Sequence, residues 1–268
     1  MFLTKKAIVK IIVIVCIYEA LGVFLLSAAF SAYTSGERGI FVPFLVIGCF
    51  LIPFGALTAA VGRYSEGKGK LLLKGRRLVL QELRPAAFIT LYRETSASPN
   101  LVVAHPDPDI LEMLFTAYGA AGDEQSQLAA LEEMLATAPE KKRKKYLLLR
   151  SAYLYAAGHT EEAEQIYSAV TAQKLSLQEA AIADAVLKSD RAMAFGDWTT
   201  AENYIKARLA ASFPPKTPYE ILSFRFALAQ VLLKSGRPEK AAPHLAYCAE
   251  NGGETAIRSK AAALLQTL

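Results

Sequence analysis

Cysteine is scarce in this chain: there are three in 268 residues, Cys16, Cys49 and Cys248, far apart and two of them inside apolar stretches. That spacing supplies neither a disulfide framework nor a zinc-ligand set, and it suits a domain kept in a reducing compartment. Histidine is as rare. His105, His159 and His244 fall in different segments, so no metalloprotease-type histidine pair exists. His244 and Cys248, four residues apart, would share a helix face as two ligands without a third, and packing is the simpler role for them. There is no phosphate-binding glycine loop, and Asp107 and Asp109 in HPDPD read as helix caps rather than paired acids. No catalytic constellation remains, which points away from an enzyme and leaves no cofactor or metal to assign.

What is abundant is apolar residue. Hydrophobic types make up 53% of the chain and the mean hydropathy is +0.25, too high for an ordinary soluble protein. The excess lies at the N-terminus. Residues 11–33 and 40–62 are almost wholly apolar, each long enough for the ~20 residues that a spanning helix needs. The short TSGERG loop, Thr34 to Gly39, joins them. The sequence therefore predicts a two-helix membrane hairpin over 1–63. Lysines before the first span and a basic run after the second put both termini, and all that follows, on the cytoplasmic side. A cleaved signal peptide is the rival reading, but the first apolar run is longer than the ~7 to 15 residues of an h-region.

Glu19 sits well inside the first span, where a charge costs at least about 2.5 kcal/mol on insertion scales. It is expected to pair within the hairpin, or else to serve a proton or ion relay or to contact another membrane protein. The basic residues next to the bilayer, Lys68, Lys70, Lys74, Arg76 and Arg77, suit an anionic lipid surface. Beyond them the charge is balanced, so the pI of 9.0 is no nucleic-acid signature. The run EKKRKK, Glu140 to Lys145, reads as a solvated helix end, with lipid or an acidic partner as the alternative.

After the membrane, one signal recurs: a turn glycine followed by a helix start. It appears as GDEQSQ from Gly122, GHTEEA from Gly158, GDWTTA from Gly196 and GRPEKA from Gly236, and in the last three an alanine stands five residues after the glycine. The intervals of 36, 38 and 40 residues imply a solenoid of helix pairs, because one pair cannot bury its own apolar face. The clearest unit is Phe226 to Gly253, where Leu228, Ala229, Leu232 and Leu233 share one helical face. Pro243 is expected to kink its second helix. The proline-rich run Ser96 to Asp109 reads as non-helical until Ile110, and Glu254 to Leu268 reads as an amphipathic helix capping the end of the array.

These units resemble tetratricopeptide repeats. The matching residues are Leu111, Leu114, Tyr118, Gly122 and Leu131 in the first, and Leu147, Ser151, Leu154, Gly158, Ala163 and Tyr167 in the second. Ala185, Ser189, Ala192, Gly196, Ala201 and Ile205 match in the third, and Ala229, Leu232, Gly236, Ala241 and Leu245 in the last. A degenerate unit around Leu71, Gly75, Leu78, Ala87 and Leu91 would precede them. The organisation expected is all-α: a hairpin over 1–63, a basic segment with the degenerate repeat over 64–109, repeats over 110–253 and a capping helix over 254–268.

The resemblance implies partner binding in a groove lined by the first helices. Its positions here would be Glu112 and Thr116 in the first unit, and Leu148, Ala152 and Tyr155 in the second. Val186 and Asp190 would follow in the third, with Phe226, Gln230 and Lys234 in the last. This set lacks the lysine, arginine and asparagine cluster with which such arrays clamp a C-terminal carboxylate. The function implied is a membrane-anchored cytoplasmic scaffold or adaptor for a protein or peptide partner, on a bacterial-type inner membrane. An accessory subunit of a membrane transporter or enzyme, contacted through the hairpin, is the alternative.

The topology is directly testable. A reporter that works only outside the cytoplasm, fused after Leu268, is expected to stay inactive; activity there would reverse the orientation.

Overall fold

A computed structural model describes residues 2–4, 34, 68–97, 101–103, 107–212 and 215–268. The two expected spans and Glu19 lie outside the described residues, although Thr34, between the spans, is helical and exposed. Among the described residues, no helix is long and apolar enough to cross a membrane. The chain divides into two compact units, residues 1–73 with 92–107, and residues 74–91 with 108–268.

The first unit contains an antiparallel ladder that no periodicity signalled. Strand β1 (Phe2–Thr4) pairs with β2 (Leu101–Val103), Phe2 opposite Val103 and Thr4 opposite Leu101. Lys68, one of the basic residues expected at a lipid surface, pairs with Asp107 at 2.8 Å, both side chains partly buried.

Helix α1 (68–76) passes into a π turn at Arg77–Gln81 and, after a sharp reversal, α2 (Pro85–Ala97). In the second unit four helix pairs follow. They are α3 (Pro108–Ala121) with α4 (Glu124–Thr137), then α5 (Glu140–Ala156) with α6 (Thr160–Thr171). Helix α7 (Leu177–Val186) continues through a π turn (Leu187–Arg191) and a last α turn (Ala192–Ala194), and pairs with α8 (Trp198–Ala210). The last pair is α9 (Pro218–Lys234) and α10 (Pro238–Asn251), and α11 (Ala256–Leu265) ends the chain.

One link joins the two helices of every pair. Gly122, Gly158, Gly196 and Gly236 have φ of 78°, 84°, 76° and 71°, the left-handed region where a Cβ is penalised. Each glycine N–H returns to the carbonyl three residues back. The next N–H, of Asp123, His159, Asp197 or Arg237, reaches five back, to Tyr118, Leu154, Ala192 or Leu232, at 2.8 to 2.9 Å. This is a Schellman closure, which satisfies the last carbonyls of the first helix. In two links the same residue also begins the second helix. Asp123 accepts from the Ser126 N–H and Asp197 from the Thr200 N–H, an N-cap contributing about 1 kcal/mol. Two first helices start with capping boxes, Ser176 with Glu179 and Thr217 with Glu220.

The alanine five residues past the glycine is where the pair closes. Ala163, Ala201 and Ala241 are fully buried. In the first unit Gln127 takes that place, and a glycine on the facing helix makes room: a Cβ on Gly119 would lie 2.5 Å from the Gln127 amide. The interval of 40 residues between Gly196 and Gly236 reflects the seven-residue connection from α8 to α9. The earlier interval of 38 includes the π turn, which takes one more residue per turn than an α-helix does. Pro243 does not end α10, which runs on to Asn251 around a buried stripe of Ala241, Leu245 and Cys248.

The expected cap is instead a closure. Leu83, at φ 55°, turns the chain after the first π turn and buries its side chain in the same core as Leu222, Leu228 and Leu245. Its carbonyl accepts the Glu254 N–H at 2.9 Å, and Arg84 pairs with Glu254 at 3.2 Å. Ala256, opening α11, lies so close to Gly122 that a Cβ there would come within 2.8 Å of it. The last unit is thereby tied to residues 83–84 and to the first pair. Gly75 likewise does not mark a turn; it is buried within a helix where the Phe88 ring and Met113 cross it.

Two glycines separate strain from closure. Gly158 faces open space, so Gly158→Ala should cost only the left-handed strain, about 1 kcal/mol. A Cβ on Gly253 would meet the Leu83 Cβ at 2.7 Å and its carbonyl at 2.9 Å. Gly253→Ala should therefore cost about 2 to 3 kcal/mol and lower the thermal midpoint further. Equal midpoints for the two variants would show that the closure does not hold the array.

Candidate functional site

Four of the expected groove residues converge. Tyr155 near the end of α5, Asp190 in the π turn, and Gln230 and Lys234 on α9 line a cavity of about 330 Å³ with Ala156, Met193, Ala194, Val231 and Trp198. They come from three consecutive units, each from the end of a first helix just before its glycine link. The C-terminal ends of three first helices thus border one space, and helix C-termini carry partial negative charge.

Asp190 adds an acidic group that forms no ion pair among the described residues. Burial among apolar neighbours pushes its pKa up to about 7, as desolvation disfavours the charged form. A π turn is an expensive local geometry that recurs at functional sites. Here it widens the helix at the point where Asp190 and its neighbour Arg191 leave it.

Arg191 is fixed on another side. Its Nε and Nη2 donate to both oxygens of Glu164, at 2.8 and 3.1 Å, and the Tyr155 hydroxyl donates to Glu164 at 2.7 Å. The Arg191 hydrogen bond holds the Glu164 carboxyl below its usual range, while burial, then Glu164, raises the Tyr155 phenol. The guanidinium also lies 5.1 Å from the exposed Phe195 ring, which meets Tyr155 edge to face. Tyr155 is thereby locked as one wall of the cavity.

The other expected groove positions serve packing and seams. Leu148 and Val186 are buried core, and Ala152 packs against the cluster that contains Val186. Phe226 packs on the core of the last unit. Thr116 donates to the Glu112 carbonyl. The Glu112 carboxylate takes Lys145 at 2.6 Å and the Tyr146 hydroxyl at 2.8 Å.

That last contact also reassigns the EKKRKK run. Lys142 pairs with Asp109 at 2.7 Å and Lys144 donates to the Lys174 carbonyl, so the run clamps α5 to α3 and to the connection beyond α6. Lys70, Lys74, Arg76 and Arg77 remain exposed. Cys248 is buried, its thiol donating to the Leu222 carbonyl and pushed up by burial to about 11. Met193, Phe195 and Trp198 were not foreseen at the site. The signal that could have marked them is the chain's one tryptophan, standing directly after a glycine link.

Asp190 makes stability depend on pH. Its folded-state pKa lies above the unfolded value, so the folded state binds the proton more tightly, and stability falls as pH rises from about 4 to 7. Asp190→Asn should leave the thermal midpoint unchanged at pH 4.5 and raise it at pH 8. The gain at pH 8 should be on the order of 2 kcal/mol, less than the full linkage because the residue keeps some exposure. A midpoint at pH 8 no higher than the parent's would mean that the carboxylate is not desolvated.

No family model matches the chain, and no curated protein does. Among solved structures, a tetratricopeptide repeat protein from Parabacteroides merdae ATCC 43184 aligns with 93% of this chain and 88% of its own, at 14% identity and a TM-score of 0.34.

Proposed function

We propose that this protein is a membrane-anchored scaffold whose helical array holds a partner polypeptide by a basic side chain, inserted between the ends of α5, α7 and α9. The observation that carries the reading is the Asp190 cavity: an acid that forms no ion pair among the described residues, bordered by three helix C-termini and walled by Tyr155 and Trp198. Such a site favours a lysine or arginine. Gln230 and Lys234, exposed on its rim, would take the backbone carbonyls on either side of that residue. Binding so anchored needs no chemistry; it raises the partner's concentration at the membrane.

The anchoring half of the proposal rests on the two apolar spans and on the basic residues that follow them. The ladder between Phe2–Thr4 and Leu101–Val103 supports it, since a hairpin returns the chain to the side on which it began. By the same charge rule the array lies on the cytoplasmic side of the membrane.

Trp198 provides the readout, because it is the chain's one tryptophan and lines the cavity. Short apolar peptides carrying a single Arg, Lys, Ala or Glu are titrated into the full chain in mild detergent. The Arg and Lys peptides should shift the Trp198 emission and bind at least about tenfold more tightly than the others, as for a charged hydrogen bond. Asp190→Asn should erase that preference. If the ranking survives the substitution, or if saturating peptide leaves the emission unmoved, the site does not read basic side chains.

A further inference from the structure

A second cavity, of about 490 Å³, lies between α8, α9 and α10, and its charge is opposite to that of the first. Its walls are apolar, formed by Leu209, Ala210, Ile221 and Leu228. Into it face four basic groups from separate elements: Lys206 on α8, Lys216 in the α8–α9 connection, Arg225 on α9 and His244 on α10.

Two of these carry buried nitrogens with no hydrogen-bond partner among the described residues, Arg225 Nε and His244 Nδ1. A buried polar nitrogen left unpaired costs about 1 to 3 kcal/mol, so two at one cavity need an explanation. Arg225 is also fixed in place, its guanidinium stacked 4.1 Å from the Tyr247 ring centroid. That leaves its edge, rather than its face, for a ligand. Lys206 is shared with Glu202 at 2.6 Å, and Lys216 donates to the Ala211 carbonyl.

We propose that this cavity is a binding site for a small amphiphilic anion, a phosphate ester whose oxygens take Arg225, His244 and Lys216 while its apolar body lies against Leu209, Ile221 and Leu228. Three donors of positive or chargeable character around an apolar floor match a monoanionic or dianionic head on a short hydrophobic group. They match neither an uncharged apolar ligand nor a bare hydrated ion.

Histidine makes the binding proton-linked. His244 faces Arg225 on α9, Lys206 on α8 and Lys216 on the connection. Glu202 on α8 is engaged by Lys206 and Arg237, and the Cys248 thiol, one turn along α10, points to the Leu222 carbonyl. Burial first, then Arg225 and Lys206, lowers the His244 pKa, so the empty site holds the neutral ring. An anion between these groups cancels the repulsion and supplies an acceptor, so the imidazole takes up a proton as the ligand enters.

The ester could be a free metabolite or a lipid headgroup, and the experiment separates them. Phenyl phosphate, phenol and inorganic phosphate are titrated calorimetrically into the full chain in non-ionic detergent at pH 7, in buffers of different ionisation enthalpy. Phenyl phosphate should bind at least about tenfold more tightly than either control, and with proton uptake. Arg225→Gln should weaken it by about tenfold or more. Lys216→Gln, which spares the Tyr247 stack, should weaken it by a few-fold, and His244→Gln should abolish the proton uptake. In phosphatidylcholine nanodiscs, adding phosphatidate should suppress phenyl phosphate binding if the natural ligand is a lipid headgroup, and leave it unchanged if it is a free ester. Equal affinity for phenol and phenyl phosphate, or affinity unaffected in both the Lys216 and His244 variants, would overturn the proposal. So would an outcome in which inorganic phosphate alone binds, as an adventitious ion only.

Discussion

The array depends on the left-handed glycine at the end of each first helix. A helix of 10 to 17 residues leaves its last carbonyls unsatisfied, and a buried unsatisfied carbonyl is costly. The Schellman closure answers two of them while reversing the chain within two residues, so that the second helix returns along the first. Any longer link would move the buried alanine at Ala163, Ala201 or Ala241 out of the contact. The glycine thus sets the distance between the two helices as well as the turn. In the first unit Gln127 replaces the alanine, and Gly119 on the facing helix leaves room for it.

What the sequence made legible follows from this constraint. A residue that must adopt positive φ is nearly always glycine, so the four links could be read as letters, and the alanine at fixed distance could be read with them. The helices, their order and most of the buried stripe, including Leu228, Ala229, Leu232 and Leu245, were legible by the same local logic. The closure was not. It rests on Leu83, a leucine in a conformation that leucine avoids, and on its carbonyl meeting the Glu254 N–H across the chain. Neither leaves a periodic trace, so α11 read as the end of an open array. The π turn at Leu187–Arg191 was equally silent, because one extra residue in a turn changes the phase of a pattern without breaking it. Four groove positions did meet at the cavity because a first-helix end is a place fixed by the glycine link. Glu112 and Leu148, farther from any link, were absorbed by the seam and the core.

The seams between units share a physical device. Lys142 and Lys145 reach Asp109 and Glu112, Arg191 reaches Glu164, and Arg237 reaches Glu202. Each joins one unit to its neighbour. At the Glu202 carboxyl, Arg237 first, then Lys206, holds the pKa at about 2. These contacts also consume charge that the sequence would assign to a surface, as with the Glu140 to Lys145 run.

Against that background Asp190 stands out by energy rather than by position. Glu164 and Glu202 are lowered in pKa by a cation, whereas Asp190 is raised by burial. Lys188, two residues before it, is spent on Asp184, and Arg191, directly after it, is spent on Glu164. A neutral residue of the same size would leave the π turn and its neighbours intact at no electrostatic cost. The chain instead keeps a destabilising acid where three helix C-termini already disfavour negative charge, and turns both adjacent cations away from it. No ion pair forms at Asp190 among the described residues, and the cation in its cavity, Lys234, stands exposed. An acid so placed has the property expected of a binding carboxylate, whose cost in the free protein is returned when a cation enters.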